Sequence, residues 1–297
     1  MGGYPQIEAV SRVGKGSPIM GMRALRLALA LAICPMPLTA SEEAPSVGDL
    51  LSHVWHDQRA IVTSPLRMDA ADRWVWGATA VSMIVLMPNY FDRRSIGERY
   101  ATGIEREHAQ YSIFFKRLTW VGDGGVMYGL SAASYGFGAW SNRSQLQKIS
   151  AHWLEALIDT GLWVTGLKIL VGRNRPGEGN PHSRSTGPRG YFKEQGANSS
   201  FPSGHSALAF ASAAVMTREA HGSLWVGIPA YALAGGVAFS RVYVEKHWLS
   251  DVLFGAALGH SIGMLVENRR HKPSQVSWRL EPMLIDDGAG LRWTRRW

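Results

Sequence analysis

Apolar positions gather into six long stretches, at residues 74–88, 120–140, 153–171, 206–217, 224–239 and 249–266, separated by polar or Gly- and Pro-bearing intervals. Each is too long for a typical buried strand, so the pattern predicts helices. Six such helices predict an all-α fold, a six-helix bundle. Several approach the ~20 residues a membrane span needs, and Trp or Tyr flank them as interface anchors do. Against this, the mean hydropathy is only -0.08, and Asp123, Glu155, Asp159, Asp251 and His260 interrupt the stretches, as a bundle buried in water would tolerate. The expectation is a membrane-embedded bundle, with a soluble one as the alternative.

Basic residues test the topology. If 153–171 leaves the cytoplasm, then Arg143 and Lys148 before it, and Arg269, Arg270 and Lys272 after the last helix, fall inside as the positive-inside rule asks. Counting back puts Arg93, Arg94, Arg99, Arg106, Lys116 and Arg117 outside and 41–73 inside, so one early helix must fail to span.

The amino terminus reads as an address. Arg12, Lys15, Arg23 and Arg26 precede the apolar run 27–34, and Pro37, Leu38, Thr39 and Ala40 lead into Ser41, Glu42 and Glu43, the layout of an export signal cleaved after Ala40. An uncleaved anchor is the competing reading, and Met20 or Met22 could be the start. Residues 177–200, rich in Gly, Pro, Ser and Asn, read as a loop. The tail from 276 alternates weakly, as an irregular segment or a small hairpin would. These features divide the chain into a signal at 1–40, an N-terminal region with the first apolar helix at 41–119, a helical core at 120–272 and a tail at 273–297.

Composition narrows the chemistry. The 297 residues hold 31 Lys and Arg against 23 Asp and Glu, a formal charge of +8 that suits an anionic partner. A single cysteine excludes a disulfide framework and zinc sites built on paired cysteines. The ten histidines show no metal-ligand spacing, and His182 falls in the loop. No motif supports nucleic-acid binding.

Three clusters carry candidate chemistry. In the first, Lys168 and Arg175 stand seven apart at a helix end and share one face if the helix persists, although Pro176 disfavours its continuing. A point charge and a planar fork make an anion clamp; a basic helix end facing solvent or headgroups has the same pattern. In the second, Phe201, Pro202, Ser203, Gly204 and His205 lead into an apolar run, so free amides at a helix start could meet an anion with an imidazole beside it. An ordinary loop-to-helix junction is the plainer reading. In the third, Ser240 and Arg241 precede His247 and Asp251, which stand four apart and on a helix would share a face, the carboxylate orienting the imidazole. A structural His–Asp staple remains open.

Taken in order, Lys168-x6-Arg175-Pro176, Pro202-Ser203-Gly204-His205 and Ser240-Arg241-x5-His247-x3-Asp251 resemble the signature of the type 2 phosphatidic acid phosphatase superfamily, which includes class A acid phosphatases and vanadium haloperoxidases. Every specified position matches. The resemblance implies that His247 attacks phosphorus and forms a phosphohistidine, with Asp251 orienting it. It implies that His205 protonates the leaving oxygen, and that Lys168, Arg175 and Arg241, with Ser203 and the Gly204 amide, hold the phosphoryl oxygens. No metal and no cofactor is implied. The expected partner is a phosphorylated lipid or another phosphate ester, at the periplasmic face of an inner membrane. A soluble periplasmic acid phosphatase for small phosphomonoesters is the alternative. A vanadium haloperoxidase, whose relatives are usually much longer, and a non-catalytic lipid-binding protein, which would lack part of the signature, fit less well.

Overall fold

Helix boundaries follow from capping side chains. Ser46 opens α1 (Val47–Thr63) with a capping box, its Oγ accepting from the Asp49 amide at 3.2 Å while Asp49 accepts from the Ser46 amide at 2.9 Å. After a 3-10 segment (Ser64–Arg67) come α2 (Ala70–Leu86) and α3 (Ala109–Val121). Asp123 then caps α4 (Gly124–Trp140) by accepting from the Val126 amide at 3.3 Å. α5 (Ser144–Val171) ends at Gly172, whose φ of 50° reverses the chain. A single helical turn (Gly187–Gly190) precedes α6 (Gly204–Glu219), α7 (Leu224–Tyr243) and α8 (Leu249–Arg270). β1 (Ser277–Ile285) and β2 (Gly288–Arg296) pair antiparallel, with Ser277 opposite Arg296 and Ile285 opposite Gly288, so the tail is a hairpin. This computed structural model describes residues 45–68, 70–86, 109–176, 185–270, 277–285 and 288–296. The expected export signal, His182 and the basic positions from Arg93 to Arg106 lie outside them.

Among the described residues the fold is all-α apart from the tail, and five of the six apolar stretches each fall on one helix. Two expectations change. The stretch 120–140 is not one helix, because Asp123 accepts its own downstream amide and starts a new one after the turn at Gly122. Two further helices, α1 and α3, also form. α1 escapes an apolar-pattern search because the face it buries is mixed: Ile61 is buried, and so is Asp57.

α6 is the central element, with Ala207, Leu208, Ala209, Ala211, Ala213, Ala214 and Val215 buried on all its faces. It packs on α4, α5, α7 and α8. Two apolar clusters flank it. One joins Ala207 and Val215 to Ala156, Val164, Leu258, Ile262 and Val266; the other joins Leu208, Ala209 and Ala213 to Met127, Leu157, Ala234 and Val237.

The α6–α8 contact is the tightest. Gly255, Gly259 and Gly263, one every four residues along α8, lie directly on the α6 backbone. A Cβ added at each would stand 2.6 Å from Ser203 O, 1.8 Å from Ala207 O and 2.8 Å from Ala211 O. Backbone does not yield as a side-chain tip does, so α6 and α8 approach only because these positions carry no side chain.

At the end of the bundle formed by the C-termini of α6 and α8, ionisable groups are buried. Arg270 donates to Asp57 at 2.8 Å and to Glu155, and Arg269 pairs with Asp57. Gln58 donates to Asp159 at 2.6 Å. Nearby, His152 bonds Glu219 at 2.7 Å and lies 3.6 Å from Glu267. These contacts tie α1 to the core through charge rather than apolar surface.

Gly259→Leu is expected to force α6 and α8 apart, at a cost of about 3 kcal/mol, the upper part of the usual range for overpacking because the clash is with backbone. Chemical unfolding of the purified variant checks this. Wild-type stability would show that the helices can separate without penalty.

Candidate active site

The site forms where α5 ends, α6 and α8 begin and α7 ends. At Gly172 an added Cβ would meet Gly187 O at 2.4 Å, so the turn after α5 is packed against the returning loop. The amide of Thr186 donates to Gly172 O at 2.9 Å, and that of Ser200 to Arg173 O at 2.7 Å. Lys168, in the last turn of α5, donates to Ser199 O. Because α5 stops at Val171, Lys168 and Arg175 do not share a helical face as their spacing suggested. The turn nevertheless leaves them close enough to interact electrostatically.

Ser203 is the N-cap of α6, and its Oγ accepts from the Ser206 amide at 3.4 Å. Its own amide donates to Asp251 O at 3.0 Å, which seats the start of α6 on the start of α8. Gly204 is the first helical residue, so its amide is one of those an α-helix leaves unsatisfied. His205 follows, partly exposed, with Nε2 3.9 Å from Asp123 Oδ2.

Arg241, in the last turn of α7, is buried, and its Nε has no hydrogen-bond partner among the described residues. Its carbonyl accepts from the amides of Lys246 and His247 at 3.1 and 3.3 Å, which folds the connection to α8 and brings His247 back over the α7 end. Thr119, on α3, bonds the neighbouring Ser240 at 2.9 Å. Lys168, Arg175 and Arg241 all act electrostatically on both His205 and His247, so the structure gathers three cations around two imidazoles.

His247 is 2 % exposed. Burial first, then the charges of Lys168, Arg241 and Arg175, hold its imidazole well below the usual value of 6.5, so it is neutral near pH 7. Its Nδ1 lies 2.7 Å from Ser200 O. A carbonyl only accepts, so Nδ1 carries the proton and Nε2 keeps its lone pair.

The direct His247–Asp251 hydrogen bond suggested by their four-residue spacing does not form: Nδ1 is 3.9 Å from Asp251 Oδ2. α8 begins at Leu249, so His247 lies before the helix and the helical-face geometry does not apply. Asp251 instead accepts from Arg173 at 2.5 Å, from Ser200 Oγ, and from the Trp248 amide at 3.0 Å. Sequence reasoning passed over Arg173, Ser200 and Asp123. Arg173 was visible as a second arginine two positions before Arg175, but spacing does not distinguish a fully buried arginine from a partly exposed one.

Two other groups have ligand-type atoms within 4.8 Å of one another, His152 with Glu219 and Glu267, and Asp57 with Glu155 and Asp159. His152, Glu219 and Glu267 come from three helices, so no spacing in the sequence announced them; in the second group Glu155 and Asp159 stand one turn apart on α5, and Asp57 joins them from α1. Glu219 and His205 sit at opposite ends of α6, about 20 Å apart along its axis.

The arrangement concentrates positive charge beside a neutral imidazole with a free lone pair. It can therefore hold an anion with several acceptor oxygens and present a nucleophile to it.

Residues 151–273 match the model of the PAP2 superfamily. A 71-residue segment is 44% identical to the lipid A 1-phosphatase of Porphyromonas gingivalis, a match over 23% of this chain and 16% of that protein's length. Among solved structures, LpxE of Aquifex aeolicus is similar with a TM-score of 0.42 and 21% identity, over 58% of this chain and 94% of that one. A transmembrane PAP2-type phosphatidylglycerolphosphate phosphatase from Bacillus subtilis gives 0.45 and 18%, over 77% and 98%. Every residue from Lys168 to Asp251 lies inside residues 151–273, the span that is similar to the PAP2 superfamily.

Proposed function

We propose that this chain is a metal-independent phosphatase that hydrolyses a lipid phosphate or isoprenoid diphosphate at the outer face of a membrane, through a phosphohistidine. The observation that carries the reading is the site's charge. Lys168, Arg175 and Arg241 surround His205 and His247, while Asp251, the buried carboxylate that the described residues place there, is committed to Arg173. A phosphoryl group supplies the missing negative charge, and the unpartnered Nε of Arg241 is a donor ready for it.

In the proposed reaction, Nε2 of His247 forms a bond to phosphorus as the ester P–O bond breaks. His205, once protonated, delivers that proton to the leaving oxygen. Burial and the charges of Arg241, Lys168 and Arg175 push the unliganded imidazole down to about 4, and the negative charge of the bound phosphoryl group is what favours its protonated form. Water then attacks the phosphohistidine, giving a proton back to His205 and releasing inorganic phosphate. Lys168, Arg175 and Arg241 neutralise the equatorial oxygens, with Ser203 and the Gly204 amide at the helix start assisting.

A membrane setting is favoured over a soluble periplasmic one by an inverted polarity. Trp74, Trp120, Trp140, Trp225 and Ile228 are exposed, at 79, 72, 80, 91 and 65%, while Asp57, Glu155, Asp159 and Glu267 are fully buried. Lipid accepts the former, and ionisable groups in a membrane bundle face inward. α8 is long and apolar enough to cross a membrane. The relative's name, lipid A 1-phosphatase, supports a lipid phosphate as the substrate class. The division proposed for the chain is an export signal at 1–40, an N-terminal region at 41–119, the phosphatase core at 120–272 and a tail at 273–297.

The test is inorganic phosphate release by purified protein from lipid phosphates, isoprenoid diphosphates and small phosphomonoesters. Lipids are expected to be preferred, with His247→Ala slower by about three orders of magnitude or more. Preference for small esters would establish the soluble acid-phosphatase alternative, and full activity of His247→Ala would remove the nucleophile.

The direction of the His247 shift sets a pH dependence. Its folded pKa lies below 6.5, so the lone pair persists as pH falls through 6.5 and is lost only at the lower folded value. The acid limb of phosphoenzyme formation, followed by rapid quench, is expected to have its half-point below pH 6.5. Folding stability attributable to this group declines over the same window, because the unfolded imidazole takes a proton where the folded one does not. A half-point at or above 6.5 would contradict the buried neutral ring.

EDTA is expected to change activity less than twofold, because side-chain cations supply the charge at the site. Loss restored by a divalent ion would overturn this.

A further inference from the structure

We propose that Ser200 and Arg173 are positioning residues for the nucleophile: the Ser200 carbonyl holds the His247 ring, and Asp251 acts on that ring through Ser200 rather than by a hydrogen bond of its own. The inference rests on reading His247 as the nucleophile.

The distances separate the two candidate orienting groups. Nδ1 of His247 is 2.7 Å from Ser200 O but 3.9 Å from the nearer Asp251 oxygen. A hydrogen bond has the first length and not the second. The Ser200 carbonyl can serve because its residue is fixed from two other sides. Its amide donates to Arg173 O at 2.7 Å, and its hydroxyl donates to Asp251 Oδ2. Ser200, Asp251 and Arg173 are all 0% exposed, so neither water nor substrate competes for these bonds.

Arg173 joins the three segments that make the site. From the end of α5, its Nη1 donates to Ser250 Oγ at 2.7 Å and to Asp251 Oδ1 at 2.5 Å, both at the start of α8. Its amide donates to Ser199 Oγ at 3.2 Å in the loop, and its guanidinium lies 5.5 Å from the centre of the Trp248 ring. The Trp248 indole in turn donates to Asn174 O at 2.8 Å. Arg173 is thus distinct in role from Arg175, although two positions apart. The first is sealed and neutralised by Asp251; the second interacts with Lys168 and both histidines.

The arrangement has a chemical consequence. A carboxylate against Nδ1 would favour the imidazolium, whereas a carbonyl fixes the tautomer without adding negative charge beside the phosphate. Pairing Asp251 with Arg173 also leaves the charge of Lys168, Arg175 and Arg241 available to the substrate.

The test uses the full chain with a lipid phosphate in detergent micelles, reading KM, kcat and rapid-quench phosphohistidine formation. Ser200→Ala keeps the carbonyl but frees the residue from Asp251. It is expected to slow phosphohistidine formation and kcat by about 10- to 100-fold, with KM within about threefold. Arg173→Lys keeps the charge but loses the fork, and is expected to show the same split. Asp251→Asn combined with Ser200→Ala is expected to be no slower than Asp251→Asn alone, because both act along one path. Wild-type phosphohistidine formation in folded Ser200→Ala or Arg173→Lys overturns the proposal, as does multiplication of the two defects in the double variant. Should Ser200→Ala fail to fold, Arg173→Lys and Asp251→Asn carry the same comparison through their own double variant. Absence of any phosphohistidine on wild-type His247 would instead remove the underlying nucleophile reading, so the two failures are distinguishable.

Discussion

The close approach of α6 to α8 is the constraint on which the site depends. Gly255, Gly259 and Gly263 let α8 lie on the carbonyls of Ser203, Ala207 and Ala211. That depth lets the Ser203 amide reach Asp251 O at 3.0 Å and the Ser206 hydroxyl reach Val252 O at 2.8 Å. Small residues are the means by which helices pack this closely where no hydrophobic force drives them together, which fits the proposed membrane setting.

Charge is organised at both ends of this bundle and with opposite completeness. At one end Asp57 and Glu155 meet Arg269 and Arg270, and His152 meets Glu219 and Glu267, so most of the buried carboxyls there face a basic group. At the other, Arg173 answers Asp251 and three further cations surround two histidines. Removing a partner at the first end strands a buried charge, at a cost of several kcal/mol. The second end is left positive by construction, which is what an anion-binding site requires.

The six long apolar helices were legible because each is longer than a strand and bounded by polar or glycine-bearing turns. α1 was not, since Asp57 and His53 on its inward half break the apolar pattern that marks a packed helix. Its capping box at Ser46 and Asp49 was the signal available. The break at Asp123 was visible as a polar interruption, but only the helix that starts there shows it to be a cap that also faces His205.

By itself the sequence determined which chemical groups the site could draw on: the cations at 168, 175 and 241, the imidazoles at 205 and 247, and the cap at 203. Residue type and order carry that information, because only certain side chains hold phosphate or donate a lone pair. Tertiary structure alone decided who orients whom. Spacing implies proximity only while a helix continues, and the chain leaves the helix at Gly172 and enters the next at Leu249. Ser200 lies 47 residues before His247, and Arg173 lies 78 before Asp251, so these contacts exist only because the ends of α5, α7 and α8 converge on the start of α6.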